Sequence, residues 1–277
     1  MTILESIRRV LPKYDYIYLG DNARAPYGTH SFEVIYQYTL QAVQYLLAQD
    51  CALVILACNT ASAKALRTIQ QCDLPVINDE RLKVSGERVN VLGVIRPTVE
   101  AVPGITKSGH VGILATPATV SSESYVLELE KIAPELVVTQ QSCPMWVPLI
   151  EAGEHDKPGA DYFVNLYLSE ILAKDPQIDT LVLGCTHYPL LKEKIDASLR
   201  NLEITRSRNH AITTIAQGNL VAASLKDYLA RHPEYRDQLS QNGTCRFLTT
   251  ENADRFSQSA SIFIGENISA ESIKLGI

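Results

Sequence analysis

The sequence predicts an α/β protein: two similar parallel-sheet α/β domains with the active site in the cleft between them. Three observations point there. Strand-like apolar runs alternate with helical patterns almost throughout, the mark of βαβ construction and parallel sheets. Two segments repeat one pattern, Leu53-Val54-Ile55-Leu56-Ala57-Cys58-Asn59-Thr60 and Leu181-Val182-Leu183-Gly184-Cys185-Thr186-His187. Each runs from an apolar strand through a small residue to a cysteine, two polar residues and a helix-like stretch. Finally, a polar stretch over 78–90 precedes a boundary near Gly93, and the chain is expected to cross back near 204–209. The expected domains are therefore 1–93 plus 207–277, and 94–206.

Strands are expected at 16–19, 53–57, 75–77, 111–115, 136–139, 180–184, 247–249 and 261–264. Residues 32–48 carry Val34, Ile35, Tyr38, Ala42, Tyr45 and Leu46 at helical spacing, and 161–173 repeat it with Tyr162, Phe163, Leu166, Leu168 and Ile171. Residues 78–90 read as a loop or insertion. The chain opens on a helical stripe of Ile3, Ile7, Val10 and Leu11, stopped by Pro12. Thr2 and Glu5 have capping-box spacing, in which the hydroxyl accepts from the Glu amide and the carboxylate reaches back.

With 277 residues the chain can bury a sizeable core, and a net charge of −6 without a basic stretch argues against nucleic acid as a partner. The densest basic cluster, Arg206-Ser207-Arg208, reads as a solvated turn. No apolar run reaches the roughly 18 residues a membrane span needs, so no membrane partner is expected. Glu5, Arg8 and Arg9 interrupt any signal-peptide core. The expected location is cytoplasmic.

Cysteines stand at 51, 58, 72, 143, 185 and 245, with no CxxC pair. Only Cys58 and Cys185 share a context. Cys51 and Cys72 are expected to pack as small hydrophobes, and Cys143 and Cys245 to be buried or incidental. Ligands of open α/β sheets bind at the carboxyl ends of strands, which is where both matched cysteines would stand. A thiol of pKa about 8.5 becomes more acidic at a helix N-terminus. A thiolate on one face of a carbon acid and a thiol on the other could then invert that carbon without a cofactor. Asn59-Thr60 and Thr186-His187 would hydrogen-bond a substrate, and His187 could relay protons at Cys185. The alternatives are core cysteines, a zinc site on Cys58, Cys185 and His187 that lacks a fourth ligand at motif spacing, and a Cys–His nucleophile that leaves one cysteine without a role.

At these residues the sequence closely resembles the cofactor-independent glutamate racemases over nearly its whole length. Gly20-Asp21-Asn22-Ala23-Arg24-Ala25-Pro26-Tyr27-Gly28 resembles that family's substrate loop. Ala57-Cys58-Asn59-Thr60-Ala61-Ser62 and Gly184-Cys185-Thr186-His187-Tyr188-Pro189 resemble its two catalytic motifs. Val94-Ile95-Arg96-Pro97 and Gly112-Ile113-Leu114-Ala115-Thr116-Pro117-Ala118-Thr119 follow in family order.

The resemblance implies that Cys58 and Cys185 interconvert L- and D-glutamate as acid and base, with neither metal nor pyridoxal phosphate. Tyr27, Gly28, Asn59, Thr60 and Thr186 would grip the substrate, and His187 would assist Cys185. Glu151, in Pro148-Leu149-Ile150-Glu151-Ala152-Gly153, matches a further acidic position near the site. Related aspartate racemases typically carry Glu where this chain has His187, which favours glutamate. A homodimer and a role in supplying D-glutamate for peptidoglycan are implied in the same way. A racemase or epimerase of other specificity and a non-catalytic relative are the alternatives. The family pattern opens on a strand leading into Asp-Ser-Gly, with whose end Met1-Thr2-Ile3 aligns. The expectation is that Cys58 lacks the aspartate that assists it in the family, and that activity suffers.

Overall fold

A computed structural model describes residues 1–206 and 211–276. The residues Ser207, Arg208 and Asn209 of the expected turn and return lie outside them. Among the described residues the strands are β1 (Tyr16–Gly20), β2 (Leu53–Leu56), β3 (Asn90–Gly93), β4 (His110–Ala115), β5 (Val137–Ser142), β6 (Thr180–Gly184), β7 (Thr213–Ile215), β8 (Cys245–Thr249) and β9 (Ala270–Ser272). Every pairing is parallel. The chain divides into two compact units, Met1–Val94 with Val221–Ile277, and Ile95–Leu220. The return thus comes at Val221 and not at 207, because β7 pairs with β6 and belongs to the second unit.

The second unit holds one sheet in the order β5-β4-β6-β7. All five residues of β6 and the last five of β4 are buried. That follows from their composition, since a strand covered on both faces must be apolar throughout rather than alternating. The helix Pro158–Lys174 lays Val164, Leu168, Ile171 and Leu172 into the cluster that contains Leu181 and Leu183. Fully burying each such side chain contributes about 1.5–3 kcal/mol. Trp146 and Tyr188, both fully buried, meet edge-on at 4.7 Å in the same core.

The strands of the first unit fall into two sheets, β1-β8-β9 and β2-β3. Ile3 and Ile7 of the helix Thr2–Val10 pack with Val221, Leu225 and Leu229 of the helix Gly218–Arg231, and residues of both sheets, Tyr16, Leu53, Ile55 and Leu92, lean on that cluster. Most of β1 and half of β2 are only partly buried, unlike β6.

Several elements differ from expectation. Residues 75–77 lie in the helix Leu74–Val84, where Pro75 occupies the first turn. Residues 261–264 end the helix Ala253–Ile264, whose Asn252 side chain accepts from Arg255 N at 2.9 Å and whose Gly265, at φ 73°, stops it. The stretch 78–90 read as a loop is helical up to Val84, and three strands were hidden: β3, which starts at its last residue Asn90, and β7 and β9, each of three residues. The first helix, Thr2–Val10, is capped by Met1, whose carbonyl accepts from Glu5 N, and Thr2 sits inside it rather than capping it.

Amide hydrogen exchange should reflect this pairing. Among the described residues β4 and β6 have neighbours on both sides, whereas β2 pairs only with β3. The amides of β2 are expected to exchange at least about tenfold faster than those of β6, and equal protection would contradict the description.

Candidate active site

In the second unit the site grows from the end of β6. Gly184 closes the strand where a Cβ would lie 3.0 Å from the Leu114 carbonyl oxygen and 3.3 Å from the Tyr125 ring, so any side chain there would press on its neighbours. Cys185 follows, 7% exposed. The helical run expected after Tyr188-Pro189 follows. A turn joins Tyr188 N to the Cys185 carbonyl at 3.1 Å, a 3-10 turn covers Tyr188–Leu191, and the α-helix begins at Lys192.

The buried Tyr188 hydroxyl donates to the Cys143 carbonyl at 3.2 Å and pins this turn to the core. His187 thereby stands with Nδ1 3.8 Å from Cys185 Sγ and Nε2 2.5 Å from Glu151 Oε1. Glu151 ends the helix Trp146–Glu151, anchored by the buried Trp146 and Ile150. Burial pulls the His187 pKa down, but the hydrogen bonds to Cys185 and Glu151 outweigh it and lift the ring to about 10. The hydrogen bond from His187 holds Glu151 below the usual carboxylate range. At neutral pH the result is an imidazolium held by a carboxylate, with its second N–H aimed at sulfur. Thr186, half-buried, sits between the cysteine and the histidine.

In the first unit Cys58 is half-buried and occupies the cap position of the helix Asn59–Lys64, in extended backbone at φ −128° and ψ 124°. Its carbonyl accepts from Ser62 N at 2.9 Å. Asn59 and Thr60 are both 2% exposed, an unusual depth for polar side chains. The Ser62 hydroxyl donates to the Leu56 carbonyl at 2.9 Å, tying the helix to the end of β2. Tyr27 and Gly28 lie in a 3-10 turn, Tyr27–Thr29, that packs against this helix. The structure thus groups Tyr27, Gly28, Cys58, Asn59 and Thr60 in one unit, and Glu151, Cys185, Thr186 and His187 in the other.

The remaining cysteines differ from these two. Burial pushes the Cys143 thiol well above its ordinary pKa and the Cys245 thiol to about 11. Cys51 leans on a core cluster and is raised by the same cause. Cys72, expected to pack, is exposed, because it falls on the outer side of the π-helical stretch Ile69–Asp73, whose buried residue is Ile69. Among the described residues no group of three or more His, Cys, Asp or Glu side chains is placed to hold a metal ion, and no helix is long and apolar enough to cross a membrane.

A family model described as Asp/Glu/Hydantoin racemase matches residues 2–212. The chain belongs to that family, which makes it an isomerase. Within this racemase family its similar relatives include the glutamate racemase of Paracoccus denitrificans, 38% identical over 98% of this chain and 95% of the relative. The glutamate racemase of Geobacter metallireducens is 40% identical over 72% of this chain and 68% of its own length. Among solved structures, glutamate racemase isoform RacE1 from Bacillus anthracis superposes with a TM-score of 0.83 at 30% identity, over 99% of this racemase and 93% of that chain. The glutamate racemase of Francisella tularensis, in complex with D-glutamate, gives 0.80 at 30% identity, over 99% and 93%.

Sequence reasoning passed over the support beneath these residues. Asp21 and Arg24 stood in the recognised loop without a role, and Thr250, which bonds Asp21 at 2.9 Å, carried no local signal because it lies 229 positions away. The buried Gln217, which donates to Thr98 Oγ1 at 2.9 Å and Tyr125 Oη at 2.8 Å, was equally silent.

The ion pair sets a titration. His187 has its pKa raised from 6.5 to about 10, so its contribution to stability is complete below pH 6.5 and is lost as pH rises through about 10. That of Glu151, whose pKa is lowered from 4.5, is present above that value and is lost on acidification. An NMR titration of the His187 ring should show a midpoint near 10, falling towards 6.5 in Glu151→Gln. An unchanged midpoint in that variant would refute the pairing.

Proposed function

We propose that this racemase interconverts L- and D-glutamate by a two-thiol mechanism, with Cys58 and Cys185 addressing opposite faces of the substrate's Cα. The observation that carries the reading is the Cys185–His187–Glu151 chain, 3.8 and 2.5 Å along its two links. It gives one thiol a proton donor and acceptor that a core cysteine does not need. The half-buried thiol of Cys58, flanked by deeply buried Asn59 and Thr60, supplies the other partner.

The chemistry balances without an external reactant. One sulfur, as thiolate, takes the Cα proton and becomes a thiol. The opposite thiol delivers its own proton to the other face, leaving the inverted amino acid and a thiolate. His187 can return a proton to Cys185 and receive it again, so both directions are served. Holding acid, base and carbon in line replaces encounters in solution, and such positioning accounts for much of the acceleration. Asn59, Thr60, Thr186 and the Tyr27-Gly28 turn would hold the amino and carboxylate groups. The sequence relatives named glutamate racemase and the Francisella tularensis complex with D-glutamate support glutamate as substrate. We place the product in peptidoglycan supply, the enzyme in the cytoplasm, and the working form in a homodimer.

Circular dichroism of L-glutamate incubated with the protein should decay to zero as the racemate forms. Cys58→Ala and Cys185→Ala are each expected to lower kcat by at least about 10³-fold, since each removes an obligatory proton carrier. Glu151→Gln should cost about 10-fold or more, because it releases the ring that faces Cys185. Turnover that survives either cysteine substitution would overturn the two-thiol reading.

A further inference from the structure

The loop after β1 is organised by one carboxylate. Asp21 accepts from Arg24 Nε at 2.9 and 2.7 Å through its two oxygens, from Thr250 Oγ1 at 2.9 Å, and from the Tyr27 hydroxyl. Its side chain is only 11% exposed and that of Arg24 18%. Thr250 follows β8, and its backbone N–H donates to the Gly20 carbonyl at 3.0 Å, so the ends of two paired strands meet here. The same Thr250 hydroxyl oxygen accepts from Ala23 N at 3.1 Å. On its far side Arg24 donates to Gln41 Oε1 at 2.6 Å and stacks over the Tyr38 ring, 4.2 Å from its centroid. Both residues belong to the helix Phe32–Leu47. Asp21 therefore ties two strands, one helix and the Tyr27–Thr29 turn into a single network.

A carboxylate offers about four acceptor positions, and a phenol has one hydrogen. Three donors occupy the first, the Arg24 Nε–H shared between both oxygens and the Thr250 and Tyr27 hydroxyls, and Asp21 takes the second. Tyr27 so bound has no hydrogen left for a substrate carboxylate. Burial, then the Asp21 carboxylate, push the phenol far above its usual pKa, so it stays a donor to Asp21 at every working pH. The Tyr27–Thr29 turn packs against the helix Asn59–Lys64, whose cap residue is Cys58.

We propose that Asp21 is a positioning residue: with Arg24 and Thr250 it presets the Tyr27-Gly28 turn beside Cys58, and the Tyr27 hydroxyl serves Asp21 rather than the substrate. The inference rests on the reading of this turn as a substrate contact. It adds a specificity to it, since Tyr27 then works through its place in the network and not as a hydrogen-bond donor to the ligand.

The test is a double-mutant cycle with Asp21→Asn and Tyr27→Phe, read by steady-state racemisation of L-glutamate and by hydrogen exchange of residues 21–30 without ligand. Each single change should raise KM about tenfold, the size of one hydrogen bond to a charged group, with kcat held within about twofold. The double variant should be no worse than the poorer single. Loop exchange should rise in both singles while β6 stays protected. Multiplying KM effects, or loop exchange unchanged in both, would overturn the proposal. Should Asp21→Asn not fold, Tyr27→Phe still reports, since it removes a single oxygen: a risen KM and a faster loop support the network, and a risen KM with an unaltered loop refutes it. A wild-type protein that fails to racemise glutamate defeats the proposed substrate instead, and the exchange measurement then decides the network alone.

Discussion

The parallel ladder that holds β6 between β4 and β7 governs the second unit. Its five residues are buried on both faces, so a slip of one residue would exchange every side chain between two packed layers. That register delivers Cys185 to one place at the strand's carboxyl end. Everything polar about the site is then added by short-range means. Tyr188 anchors the following turn to the core, the turn aims His187 at the sulfur, and the helix ending at Glu151 supplies the counter-charge. Remove the ladder and none of these has a fixed reference.

The two thiols are not equivalent, although the sequence presents them as a repeat. Cys185 is buried and wired to a charged relay, while Cys58 is half-buried and surrounded by an amide, hydroxyls and the Asp21-organised turn. A reaction that runs in both directions needs each thiol as acid and as base, but it does not require identical means of tuning them. Beside Cys185 stands the His187–Glu151 ion pair, and in the other unit the turn that packs on the Cys58 helix is organised by Asp21 through Arg24, Thr250 and Tyr27.

Much of this was legible in the sequence, for a physical reason: the strand–cysteine–polar pattern is local, and strands buried on both faces advertise themselves as unbroken apolar runs. The fold class and the strands ending at Leu56 and Gly184 were readable on that basis. Short and edge strands were not, because three residues such as Thr213–Ile215 or Ala270–Ser272 have no periodicity to detect. Residues 261–264 misled because a β-branched, aromatic run looks like a strand until the Asn252 cap and the Gly265 stop are weighed together. The helix expected beyond Tyr188-Pro189 is present, entered through a 3-10 turn over Tyr188–Leu191 before the α-helix begins at Lys192. Partners brought together from distant sequence, Thr250 on Asp21 above all, leave no trace in spacing, so the support of the site had to come from the fold.

The central claim, two opposed proton carriers, predicts an asymmetry in isotope traffic. With L-glutamate in D2O at early conversion, the D-glutamate formed should carry deuterium at Cα while the remaining L-glutamate stays protiated, because the proton is returned from the opposite face by a different, exchanged sulfur. Deuterium entering the remaining L-glutamate as fast as the D-isomer appears would mean that one base serves both faces, and would contradict the account.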